Sequence, residues 1–130
     1  MDVKTIIRAF DNLDNSAEEN IGISIVTKDI KDKNIVRNTD YSVVEHIDVI
    51  QDSGDAVTIG LSDGREITFY NEDSVMVSEN EDIITRIMID VCDGLMVYQF
   101  TNLQESPWIW DFVQDDIKHT KLSQNTVDIL

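Results

Sequence analysis

Ala56–Tyr70 reads AVTIGLSDGREITFY, and its register decides the fold. Val57, Ile59 and Leu61 alternate before Ser62-Asp63-Gly64, and Ile67 and Phe69 alternate after it. That period belongs to strands with one buried face. A three-residue loop, a type I turn closed by glycine in the left-handed region, sets Ile59 opposite Ile67 and Val57 opposite Phe69. A two-residue Asp63-Gly64 turn would instead set Leu61 against Glu66 and Val57 against Tyr70. A one-residue slip moves every side chain to the other face, so burial selects the three-residue loop.

The same test extends outward across Tyr41–Phe100. Val43, Ile47 and Val49 alternate upstream. If Asp52-Ser53-Gly54 is a second three-residue loop, Val49 lies opposite Val57 and Ile47 opposite Ile59. Gly60 falls inside a strand, where a bulge or a close backbone approach is expected. Ser74–Ser78, with Val75 and Val77 alternating, reads as a short strand. Around Asp93-Gly94 a two-residue type I′ turn pairs Val91 with Met96, Ile89 with Tyr98 and Ile87 with Phe100, an unbroken apolar face.

Both ends of the chain carry helical spacing. Val3, Ile6, Ile7, Phe10 and Leu13 form one stripe over Met1–Leu13, and the polar run Asn15–Asn20 ends it. Ile21–Thr27 alternates as a strand, and Lys28–Asn38 is a lysine-rich segment of alternating charge. Ser106-Pro107 starts a second helix, with serine as N-cap and proline at the first helical position. Ile109, Phe112, Val113 and Ile117 make its inward stripe up to about Lys118. The expected architecture is therefore α+β: one domain over residues 1–130, an antiparallel β-meander of five to seven strands, and an N-terminal and a C-terminal helix packed on it.

At 130 residues, 42% apolar and 28% charged, the chain has the composition of a globular domain. It has no run of eighteen apolar residues and no signal-peptide pattern, so a cytoplasmic location is expected, with no membrane partner. The single Cys92 cannot make an internal disulfide. No spacing fits an EF-hand loop, and Glu79, Glu81 and Asp82 read as a solvated acidic turn rather than a metal clip. Gly-x-Ser-x-Gly, a phosphate-binding glycine loop and HExxH are absent from the sequence. His46 and His119 belong to no ligand motif. No catalytic residue, cofactor or metal site is assigned, and the expectation is a protein that is not an enzyme.

The charge is uneven. Residues 40–100 hold fourteen acids against Arg65 and Arg86, a net −12 of the whole chain's −16. Such a surface repels nucleic acid, whose binding requires Lys and Arg to replace counterions. It attracts basic proteins and raises their association rates. The expected function is inhibition of a nucleic-acid-handling protein by occupation of its basic surface, by a monomer or homodimer. The expected partner-binding residues are Asp52, Asp55, Asp63, Glu72, Asp73, Glu79, Glu81 and Asp82, joined by Trp108 and Trp110. Two tryptophans at i, i+2 point about 200° apart on a helix, so one serves the core and the other is a candidate anchor.

Glu79 and Glu81 have the alternate spacing that a strand would use to mimic DNA phosphates, about 6.6 Å; most other acids sit in turns, so mimicry is partial at most. In size and composition the chain resembles small acidic inhibitors of phages and mobile elements, such as anti-CRISPR and anti-restriction proteins. It is also similar to immunity proteins that neutralise basic toxin nucleases. The resemblance rests on no motif and implies no functional residues. The reading from another class is a small enzyme or ligand-binding domain, with a pocket on the sheet face lined by Gly60, His46 or Tyr70.

Overall fold

The computed structural model describes residues 2–18, 20–91, 95–105 and 128–129. Among the described residues it is an α+β fold of one helix and two antiparallel sheets. In chain order the elements are α1 (Val3–Ser16), β1 (Ile21–Lys31), β2 (Asn34–Val44), β3 (Ile47–Asp52), β4 (Ala56–Leu61), β5 (Glu66–Tyr70), β6 (Ser74–Asn80), β7 (Ile83–Val91), β8 (Met96–Asn102) and β9 (Asp128–Ile129). The larger sheet has the order β6-β7-β8-β1-β2-β9, and the smaller is β3-β4-β5. No helix among the described residues is long and apolar enough to cross a membrane.

Asp2 caps α1: its carboxylate accepts from the Lys4 amide at 3.2 Å and the Thr5 hydroxyl at 2.9 Å. The Thr5 bond, aided by the Lys4 amide and by the charges of Arg8 and Lys4, holds the Asp2 carboxyl below its ordinary pKa against some desolvation. The cap therefore stabilises the fold at neutral pH and is lost as pH falls through that lowered value. Val3, Ile6, Ala9, Phe10 and Leu13 are buried along the stripe, and the helix runs three residues past Leu13.

The polar side of α1 ties the two sheets together. Asn12 Nδ2 donates to Asp82 O (3.1 Å), and Asn12 Oδ1 accepts from Ile84 N (3.0 Å) at the start of β7. Asp14 Oδ1 accepts from Ile47 N at 2.8 Å, at the start of β3. Two side chains one turn from the helix end thus satisfy strand-opening amides in different sheets.

The register of the central hairpin is as expected: Ile59 pairs with Ile67 and Val57 with Phe69, and Gly64 has φ 94°. Val91–Met96, Ile89–Tyr98 and Ile87–Phe100 also pair as expected, while the Asp93-Gly94 turn itself lies outside the described residues.

Three expectations need correction. First, Tyr41–Phe100 is not one meander, because β5 does not pair with β6. The chain turns at Asn71–Asp73, and the two halves fold face to face instead of side by side. A single flat sheet would leave the apolar faces of both halves on the same uncovered side. The observed arrangement sets Phe69 of β5 against Tyr98 and Phe100 of β8, at 5.2 and 6.1 Å between ring centroids, and Phe10 of α1 against Phe100 at 5.0 Å. Edge-to-face contacts of this kind contribute about 0.5–1.5 kcal/mol each beyond their burial.

Second, Val49 is not in the core. It is 52% exposed, and Ile50 takes the inward place opposite Ile59. The β3–β4 loop is a two-residue turn with Gly54 in its first corner position at φ 93°, closed by Ser53 N to Ala56 O at 2.9 Å. A bulge between Ile47 and Val49 then restores Ile47 to the core opposite Leu61. Gly60 lies beneath Val49, where an added Cβ would approach Val49 Cβ to 3.3 Å. Third, Val43 shares no face with Ile47 in one strand. Val44 is the buried residue, and β2 ends there before the chain enters the smaller sheet.

The Lys28–Asn38 segment forms the tip of the β1–β2 hairpin, whose two strands are eleven residues each. Asp32 and Lys33 both have positive φ, 49° and 68°, as the type I′ geometry demands. The expected C-terminal helix over 106–118 lies outside the described residues, as do Cys92, Trp108, Trp110 and His119.

Candidate functional site

The acids group by strand ends. The β3–β4 turn and the Asn71–Asp73 turn lie side by side, joined by Asn71 N to Asp55 O at 2.9 Å. Asp73 Oδ2 accepts from Tyr70 N (2.8 Å), and Asp52 Oδ1 accepts from Gly54 N (2.8 Å). Each carboxylate is held by a backbone amide of its own turn, so these positions are set by loop geometry. Asp52, Asp55, Glu72 and Asp73 therefore make one acidic pole, and Asp90 adds to it across from Ser74. Asp52, Asp55, Glu72 and Asp90 are exposed, and Asp73 is half-buried.

The remaining expected acids are elsewhere. β6 runs away from this pole, so Glu79, Glu81 and Asp82 gather at its opposite end. Glu81 and Asp82 form the corner of a second type I′ turn, at φ 50° and 68°. Asp63 is at the far end of the β4–β5 hairpin and is the one expected acid in an ion pair among the described residues: Arg65 Nε donates to its Oδ2 at 2.7 Å. Arg65 also reaches Ser42 Oγ at 2.8 Å, pinning the small sheet to β2. The structure thus brings four of the eight expected acids together, groups three more at the opposite end of β6, and sets Asp63 apart. Trp108 and Trp110 lie outside the described residues.

Two exposed apolar side chains were not among the residues expected at the partner face. Tyr70 stands 52% exposed within the first acidic pole, paired across from Ala56. Its parity with Glu66 and Thr68 on β5 already marked it as outward-facing. Met76, in the middle of β6, is 67% exposed. An aromatic or thioether beside unpaired carboxylates gives a partner apolar area to desolvate as well as charge to meet.

Depressions among the described residues are shallow. One, of about 400 Å³, lies between α1 and the β6–β7 hairpin, where Arg8 faces a wall that includes Glu79 and Asp82. Another, of about 320 Å³, is lined by Glu18, Asn20, His46 and Gln104, with His46 Nδ1 3.9 Å from Asp14 Oδ1. A third is lined by Ile25, Thr27, Asn38, Thr39 and Asp40. Neither Gly60 nor Tyr70 lines any of the three. Among the described residues no group of three His, Cys, Asp or Glu is placed to hold a metal ion. What this surface offers chemically is charge, hydrogen-bond acceptors and open strand edges. No protein-family model, curated protein or solved structure matches the chain.

Proposed function

We propose that this chain is a stoichiometric binding protein that inhibits a nucleic-acid-handling partner by occupying its basic surface. The observation that carries the reading is the concentration of charge: −12 within residues 40–100. In support, seven of the eight expected acids have no ion pair among the described residues. Carboxylates without internal counterions project a potential that steers cations and raises association rates. The pole at Asp52, Asp55, Glu72 and Asp73, with Tyr70 exposed beside it, is the face assigned to the partner.

The test is binding to a panel of basic nucleases at rising salt. Affinity falls by about tenfold or more between 0.05 and 0.3 M salt on this reading, because screening removes the steering and the exposed ion pairs. The variant D52K/D55K/E72K weakens binding further than E79K/E81K. Affinity that is indifferent to salt and to both charge reversals overturns the proposal.

A further inference from the structure

Among the described residues the larger sheet has an open edge at β6, and its chemistry states what would fit it. Exposed edges are ordinarily blunted, since a row of free N–H and C=O groups templates another strand. The other edges here are blunted. β3 carries a bulge between Ile47 and Val49 and the charges of Asp48 and Asp52. β5 is only five residues long. β2 is met by β9 at Val36–Arg37, and its remaining stretch carries the charge of Asp40 and the Arg65 side chain bonded to that of Ser42. β6 is seven residues long and pairs only with β7 among the described residues. Ser74–Ser78 contains no charge and no proline, and its register with β7 is unbroken until the bulge after Ser78.

Charge decides the occupant. Glu72 and Asp73 precede β6, and Glu79, Glu81 and Asp82 lie at its far end. If a second copy paired antiparallel about Met76, Asp73 of each copy would face Glu79 of the other. Like charges directly opposed across strands are destabilising, so the acids guard this edge against self-pairing. The same acids favour an incoming strand with cationic ends and an uncharged centre. We infer that β6 receives an extended segment of a basic protein, apolar at alternate central positions and flanked by Lys or Arg, as an added edge strand. Main-chain hydrogen bonds supply affinity, and the flanking acids supply selection. This inference rests on the proposed binding of a basic partner and names the element that does it.

A blocked peptide Lys-Lys-Val-Thr-Val-Thr-Val-Lys-Lys tests it on the full chain. Its nine residues span Glu72–Asn80 with the lysine pairs over the acids. Expected are hydrogen-exchange protection of β6 amides on binding and about tenfold weaker binding of the same peptide with glutamates for lysines. N-methylation of the alternate peptide amides that face β6 abolishes binding, because it removes the ladder, whereas methylation of the outward-facing set does not. E72K/E79K reverses the preference between the two peptides, and an unchanged exchange pattern for α1 and β8 verifies that this variant is folded. If β6 gains no protection, or the peptide methylated on its β6-facing amides binds as well, the edge is not the site. Salt-sensitive binding of a basic nuclease without β6 protection sinks the edge alone. Failure of peptide and nucleases together sinks the parent reading as well.

Discussion

At Asn12 a single amide reaches two backbone groups seventy and seventy-two positions away. Its Oδ1 accepts from the Ile84 amide, which is half-buried and opens β7, and its Nδ2 holds the carbonyl of Asp82 in the adjoining turn. Removing one partner of a buried pair costs more than the bond contributes, because the other partner is left dry and unmatched. Asn12→Ala should therefore destabilise the fold by about 1–3 kcal/mol, read as a lower urea midpoint at unchanged slope. An unmoved midpoint would mean that water replaces the amide. Nothing in the sequence marked this residue, since a polar side chain on the outer side of an amphipathic helix is the ordinary pattern. Tyr70 is the contrary case, an outward residue whose parity was plain from the alternation around it.

Among the elements, hairpins were visible where glycine sits in the turn. Gly64 marks the β4–β5 loop, and the β4–β5 and β7–β8 registers follow from burial. The β1–β2 and β6–β7 turns are built instead from Asp32-Lys33 and Glu81-Asp82, with all four residues left-handed. Aspartate tolerates that region but Lys33 and Glu81 do not favour it and no glycine is present, so sequence gives little turn signal; the strain is accepted because a type I′ turn matches the twist of the flanking strands. Lys33→Gly should relieve it and stabilise the protein by about 1 kcal/mol, raising the melting temperature by about 4 °C. A lower melting temperature would show that the Lys33 side chain contributes more than its backbone costs. Asp52-Ser53-Gly54 misled for a related reason: glycine signals a left-handed position but not which corner of the turn it occupies. The bulge in β3 then hid the error by returning Ile47 to the core.

For the molecule as a whole, −16 on 130 residues opposes compaction. The mutual repulsion of acids in each pole is relieved by salt, whose screening length falls from about 10 Å at 0.1 M to about 3 Å at 1 M. Thermal melting in sodium chloride over that range should shift upward, and the D52K/D55K/E72K variant should show a smaller shift. Equal shifts would mean that the pole is not where repulsion concentrates. The charge on which the proposed encounter with a basic partner depends therefore limits stability in that partner's absence.

Composition and alternation determined the class of this protein: strands with one apolar face, an amphipathic helix at the start, and an excess of carboxylate at the turns. They did so because burial follows a period of two or 3.6 residues, and periodicity is local. The division into two facing sheets, the tie through Asn12 and Asp14, and the parting of the acids between opposite strand ends were decided only in three dimensions. Each depends on which faces and edges meet across long separations in the chain. Local pattern leaves that choice open, and packing of Phe10, Phe69, Tyr98 and Phe100 makes it.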